Sequence, residues 1–258
     1  MTARTGQEVA LIALACLDLT SLNDADRDAD VIALCQRAAS APGTPAALCV
    51  WSHLAGVAVQ HAPRGVRVAA VANFPDGSTD LKRAVADTER IVQAGAHEVD
   101  VVLPYRALLA GDDRACAELL RAVRGACQGL TLKVILETGE LREPHWMQRA
   151  ARLALAERAD FLKTSSGKTP VSATPEAAQV LLEAIAADAR GRTTVGFKAA
   201  GGIRTVADAA RYIELVEQIL GPGAAAPARF RIGASALLND IERVLGAGGG
   251  RPDANARY

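Results

Sequence analysis

The chain has 258 residues, half of them hydrophobic, with Lys+Arg and Asp+Glu balanced at 29 each and no formal net charge. That length suits one sizeable core, and balanced, scattered charge argues against a nucleic-acid or acidic-membrane partner. Cys16, Cys35, Cys49, Cys116 and Cys127 form no CxxC, and His53, His61, His97 and His145 show no HExxH spacing. Reduced thiols are therefore expected, and no metal or organic cofactor.

From the N-terminus, the apolar run from Val9 to Leu17 ends Ala13-Leu14-Ala15-Cys16, faintly like a secretion signal. Glu8 interrupts it, Arg4 is its only basic partner, and the run is short, so a cytoplasmic setting is expected rather than export. No segment is long and apolar enough to cross a bilayer. Short apolar segments then predict strands at 15–19, 47–50, 66–72, 98–103, 132–138, 160–164, 194–199 and 230–234. Between them lie stretches rich in Ala, Leu, Glu and Arg, predicting helices that include 80–93, 113–126, 143–157, 174–189 and 206–220. Thr174-Pro175-Glu176 reads as an N-cap followed by proline at the first helical position, and Thr205-Val206-Ala207-Asp208 as a capping box. Eight strand–helix alternations predict a single-domain (β/α)8 TIM barrel over 1–245, ahead of a glycine-rich tail, 246–258, that ends in Tyr258. No GxGxxG follows a strand, which argues against an open dinucleotide-binding sheet.

Two strands break the apolar rule of buried parallel sheets. Val195-Gly196-Phe197-Lys198 and Asp160-Phe161-Leu162-Lys163 each place a lysine inside the sheet. Side chains alternate along a strand, so Glu98, Asp100 and Val102 share one face of their strand, opposite the apolar Val99, Val101 and Leu103. The same rule groups Lys133, Ile135 and Glu137, and Asp18 sits in the first strand. Three lysines and these carboxylates are thus expected inside one barrel. The plain alternative is a buried ion-pair network that only holds the barrel together. The chemical reading is a lysine nucleophile forming a Schiff base with a carbonyl, which needs a neutral amine. Burial and a neighbouring ammonium both disfavour the charged form, and Asp100 could relay protons. Lys163 and Lys168 compete for the nucleophile role; Lys163 lies within the strand, where desolvation is greater.

Ser165-Ser166-Gly167-Lys168, Gly201-Gly202 and Gly233-Ala234-Ser235 each follow a strand. Backbone N–H groups at such turns suit a phosphate, and the loops after strands seven and eight are the usual phosphate site of barrels. Gly167-Lys168-Thr169 is no P-loop, because Leu162 stands where its first glycine belongs.

These segments, with Leu17-Asp18-Leu19-Thr20, Asn73-Phe74-Pro75-Asp76-Gly77 and Lys133-Val134-Ile135-Leu136-Glu137-Thr138-Gly139-Glu140-Leu141, resemble the class I deoxyribose-phosphate aldolase family along essentially the whole chain. The resemblance implies Lys163 as the Schiff-base lysine, with Asp100 and Lys198 as acid/base and pKa-tuning partners. It implies substrate contacts from Asp18, Thr20, Gly167, Lys168, Gly201, Gly202, Gly233 and Ser235, and a catalytic part for Tyr258 at the enamine carbon. It further implies a sugar phosphate cleaved to an aldehyde pair, no cofactor, and a homo-oligomer, with a dimer favoured. Ala199, Ser166, Ala236 and Trp51-Ser52-His53 depart from the family pattern, and Ala236 removes one phosphate contact. Rival expectations are another lysine-dependent sugar-phosphate aldolase and an inactive sugar-phosphate sensor.

Overall fold

The computed structural model describes residues 4–246, and in it eight parallel strands close into a barrel in sequence order. They are β1 (Leu17–Thr20), β2 (Ala47–Trp51), β3 (Arg67–Ala72), β4 (Glu98–Val102), β5 (Thr131–Ile135), β6 (Phe161–Lys163), β7 (Gly196–Ala200) and β8 (Phe230–Ala234). β8 returns to β1 through the pairs Leu17↔Ile232 and Asp18↔Gly233, so no strand edge is left open. The fold is the expected (β/α)8 barrel. Tyr258 lies outside the described residues. Among the described residues no helix is long and apolar enough to cross a membrane.

The helices form where an apolar stripe can face the barrel. The helix Asp113–Ala126 buries Cys116, Leu119, Leu120 and Val123, the i, i+3, i+4, i+7 spacing of one face. Asp112 caps it by accepting from the Ala115 N–H. Thr174 caps the helix Pro175–Ala187, and Thr205 with Asp208 closes the expected capping box on Val206–Leu220. The N-terminal apolar run is a helix, Gly6–Ala15, started by a capping box between Thr5 and Glu8. Its buried residues Val9, Ala10, Ala13 and Leu14 pack toward the last two helices, so β1 starts at Leu17 rather than at residue 15.

Along β4 all five residues are buried, because outer helices cover one face and barrel side chains fill the other. Gly196 shows how tightly the floor is filled. A Cβ there would lie 2.2 Å from Cε1 of Phe161, its registered partner on β6. β5 stops at Ile135, short of the expected 138, because Glu137 turns into the left-handed region (φ 57°) and leads into the helical turn Thr138–Leu141. All five cysteines are buried free thiols.

Candidate active site

Alternation on five strands carries charge to the barrel axis. Lys133, Lys163, Lys198, Asp18, Glu98 and Asp100 are buried to 1 % exposure or less. Asp100 is the hub: its Oδ1 accepts from Lys133 Nζ at 2.8 Å, and its Oδ2 from Lys198 at 2.8 Å and Lys163 at 3.0 Å. Asp18 accepts from Lys198 at 2.5 Å and from Arg231 at 2.7 Å. Glu98 pairs with Lys133 and, at 3.0 Å, with Arg231. Glu98 also holds Arg67, whose side chain is half-exposed at the start of β3.

The membership differs from the sequence expectation in two places. Glu137 leaves the network because the αL turn carries its carboxylate out of the strand alternation. It instead accepts from the Ser166 N–H at 3.2 Å and the Thr169 hydroxyl at 3.2 Å, so it shapes the loop after β6. Arg231 enters unannounced. The signal was present in Phe230-Arg231-Ile232-Gly233, where Arg231 shares a face with Gly233 and registers with Lys198.

Burial opposes ionisation of every member, and the neighbours decide the outcome. For Asp100 that penalty is outweighed by Lys133, Lys198 and Lys163, which hold the carboxyl well below its usual range. For Lys198 burial is outweighed by Asp100 and Asp18, which hold the ammonium well above the ordinary lysine value. Lys163 goes the other way: burial, reinforced by the Lys198 charge, pushes its amine down against the attraction of Asp100. One carboxylate oxygen, shared with Lys198, does not offset that downward push. The site therefore contains one amine biased toward the neutral, nucleophilic form beside one held as a proton donor, and an ionised carboxylate between them. Cys49 on β2 lies 3.9 Å from Asp100 Oδ2, and burial raises its thiol pKa, so it contributes no charge.

The rim of the barrel is polar and glycine-rich. Gly167, Gly201 and Gly202 have φ of 82°, 83° and 80°, the left-handed region that favours glycine. A Cβ on Gly201 would lie 2.5 Å from the Ser172 hydroxyl and 3.3 Å from Gly167 Cα, so these two turns touch. Gly201 N–H reaches the Gly233 carbonyl at 3.3 Å, and a Cβ on Gly233 would press on Lys198 Cε. Gly167, Gly201 and Gly233 thus converge above the lysines, with Gly202 exposed beside them. Three hydroxyls near strand ends at this rim, Thr138, Ser165 and Ser235, are buried with no hydrogen-bond partner. Unsatisfied buried hydroxyls are rare in native proteins and mark positions where a ligand can bond.

Other expected contacts are engaged within the protein. Asp18 has one oxygen on Lys198 and the other on Arg231, so it acts on the amines. The Thr20 hydroxyl donates to the Asp18 carbonyl at 2.8 Å and keeps its acceptor lone pairs. Lys168 does not point into the glycine turns. Its ammonium binds exposed Asp24 at 2.8 Å and sits 5.9 Å from the Trp51 ring centre. Trp51, one of the departures from the family pattern, packs edge-on against Phe74 at 5.2 Å and donates to the Asn23 carbonyl. The Asn73-to-Gly77 segment is a lock: the Asn73 amide donates to the Ser78 and Val102 carbonyls and its oxygen accepts from Arg83.

Residues 12–243 match the profile of the DeoC/LacD family aldolases. A curated deoxyribose-phosphate aldolase of Agrobacterium fabrum is 46% identical over 253 residues, 96% of each chain. A crystal structure of a proposed deoxyribose-phosphate aldolase from Toxoplasma gondii ME49, in apo form, superposes with a TM-score of 0.85 at 25% identity, covering 94% of this chain and 98% of that one. One from Coccidioides immitis gives 0.79 at 26% identity, covering 94% and 88%.

Proposed function

Since the chain belongs to the DeoC/LacD aldolase family, we propose that it cleaves 2-deoxy-D-ribose 5-phosphate reversibly to D-glyceraldehyde 3-phosphate and acetaldehyde through a Schiff base on Lys163. The observation that carries this reading is the unequal treatment of two neighbouring lysines. Lys163 and Lys198 share one Asp100 oxygen, yet only Lys163 is driven toward the neutral form.

Neutral Lys163 adds to the open-chain aldehyde, and Lys198 supplies the proton that lets the carbinolamine lose water. The resulting iminium withdraws electrons from the bond between the methylene and the hydroxyl-bearing carbon. That bond breaks as the hydroxyl proton passes, through water, to Asp100, which the three lysines hold ionised and so free to accept a proton. The electron pair becomes the enamine, glyceraldehyde 3-phosphate leaves, and protonation of the enamine carbon followed by hydrolysis releases acetaldehyde. Tyr258 is our choice of donor for that carbon. The turns of Gly167, Gly201, Gly202 and Gly233, with the Ser235 hydroxyl, would receive the phosphate, and Lys168 would join them on release from Asp24. A cytoplasmic homodimer is the assembly we propose.

The test is coupled release of acetaldehyde from 2-deoxyribose 5-phosphate, with fructose and ketogluconate phosphates as controls, followed by hydride trapping with acetaldehyde and peptide mapping. N-ethylation of Lys163 is expected. An adduct on Lys168, or cleavage only of a control sugar, overturns the assignment.

A further inference from the structure

Inside the barrel the ionised groups do not balance. Among the described residues, four buried cations (Lys133, Lys163, Lys198 and Arg231) share three ion-paired carboxylates (Asp18, Glu98 and Asp100); a fifth cation, Arg67, also pairs with Glu98 but is half-exposed at the start of β3. One positive charge is in excess, and a buried excess charge is relieved by losing a proton. Arg231 cannot lose one, because a guanidinium stays charged in proteins. The relief therefore falls on a lysine. Lys133 contacts all three carboxylates and Lys198 two, whereas Lys163 has only a shared oxygen of Asp100.

Arg231 is placed to create that shortage. Its side chain is 5% exposed at the barrel floor, with Nη1 2.7 Å from Asp18 Oδ1 and Nη2 3.0 Å from Glu98 Oε1. Its Nε donates to the Pro227 carbonyl at 2.6 Å, and its guanidinium lies 5.6 Å from the Phe161 ring centre. Packing, a carbonyl and two carboxylates fix it in one pose. Building on the Schiff-base reading above, we propose that Arg231 is a positioning residue: by engaging Asp18 and Glu98 from beneath, it leaves Lys163 as the surplus cation and so keeps the nucleophilic amine neutral.

Charged and titratable groups face Lys163 from the strands around it. β1 supplies Asp18, β2 Cys49, β4 Glu98 and Asp100, β5 Lys133 with Glu137 beyond its end, β7 Lys198 and β8 Arg231; β3 has only Arg67, at its start. Glu137 makes its bonds to the loop after β6 and forms no ion pair with the four cations, although the Lys163 charge reaches it; with Arg67 at the opposite strand ends it adds one charge of each sign, so the excess stays at one.

Arg231→Met removes the surplus, so Lys163 should hold its proton, and the midpoint of the kcat/KM–pH profile should rise by about one unit or more, with about tenfold slower N-ethylation of Lys163 by acetaldehyde and cyanoborohydride at neutral pH. Arg231→Lys keeps the charge and should stay near the parent midpoint. Arg231→Met combined with Glu98→Gln restores a surplus of one and should bring the midpoint back, although it removes more contacts. Glu98→Gln alone should lower it. A midpoint unmoved in Arg231→Met, or a double variant displaced further than the single one, overturns the proposal. Should Arg231→Met fail to fold, an unmoved Glu98→Gln midpoint overturns it equally. Absence of any Lys163 adduct in the parent protein instead refutes the Schiff-base reading, so the two failures are distinct.

Discussion

Replacing Lys198 by methionine tests the two-lysine arrangement most directly. Both ammonium groups bond Asp100 Oδ2, at 2.8 and 3.0 Å, which limits their nitrogens to about 6 Å apart. At an effective dielectric of about 20, unit charges at about 6 Å repel by roughly 3 kcal/mol, or about two pH units. Both partners are fully buried, so solvent does little to screen this repulsion. Without Lys198 the Lys163 ammonium loses the repulsion, and Asp100 is left with one cation fewer to satisfy it. Both changes raise the Lys163 pKa. Because the neutral amine is the reactive form, activity at neutral pH should fall about 100-fold and recover about tenfold per pH unit on raising the pH toward the new midpoint. The assay is kcat/KM for 2-deoxyribose 5-phosphate across pH, paired with the rate of Lys163 N-ethylation. Lys198→Arg, which retains the charge, serves as the comparator. A loss that does not change with pH, or trapping at the parent rate at neutral pH, would refute the electrostatic account and leave Lys198 as a proton donor only.

Other expectations follow from the same geometry. Asp18, Glu98 and Asp100 are buried, which by itself would raise their pKa values, but the surrounding cations hold all three below the usual carboxylate range. Their contribution to stability is complete above the unfolded value of about 4 and is lost as pH falls through the lowered folded values. The thermal midpoint should therefore hold down to about pH 4 and drop below it; a decline beginning near neutrality would contradict this. Ser165→Ala removes a hydroxyl that bonds nothing in the protein, so thermal stability should not fall while kcat/KM drops up to about tenfold; an unchanged kcat/KM would show that no substrate group reaches it. Gly201→Ala and Gly202→Ala both force a side chain onto a φ near +80°, at roughly 1–2 kcal/mol each. Only Gly201→Ala also collides with Ser172, so it should lose more thermal stability and raise KM for the phosphorylated substrate, as melting curves and initial rates would show.

The barrel was legible because its strands obey two rules at once. Outward positions such as Val99 and Val101 are apolar, and inward lysines are so costly there that Lys163 and Lys198 stand out from residue type alone. The missed parts depend on backbone bends and distant pairings. Glu137 appeared to share a face with Lys133 because the strand was extended past Ile135, where an αL residue ends the alternation. Arg231 carried the same inward signal as Lys198, but its partners Glu98 and Asp18 lie 133 and 213 residues away, and only barrel closure brings them together. The Lys168–Asp24 pair, 144 residues apart, is hidden for the same reason.

The placement of charge and glycine has a consequence for how the protein can be altered. Every member of the axial network belongs to a strand of a sheet without edges, whereas the paired glycines and the unsatisfied rim hydroxyls lie at or beyond strand ends. Reactivity is wired into the part of the molecule that opens only on global unfolding; recognition is carried by segments that can open locally. Changes at the rim can therefore exchange one acceptor for another while the amine keeps its temper, and the range of aldehydes the scaffold can learn to join is set by its loops rather than by its lysines.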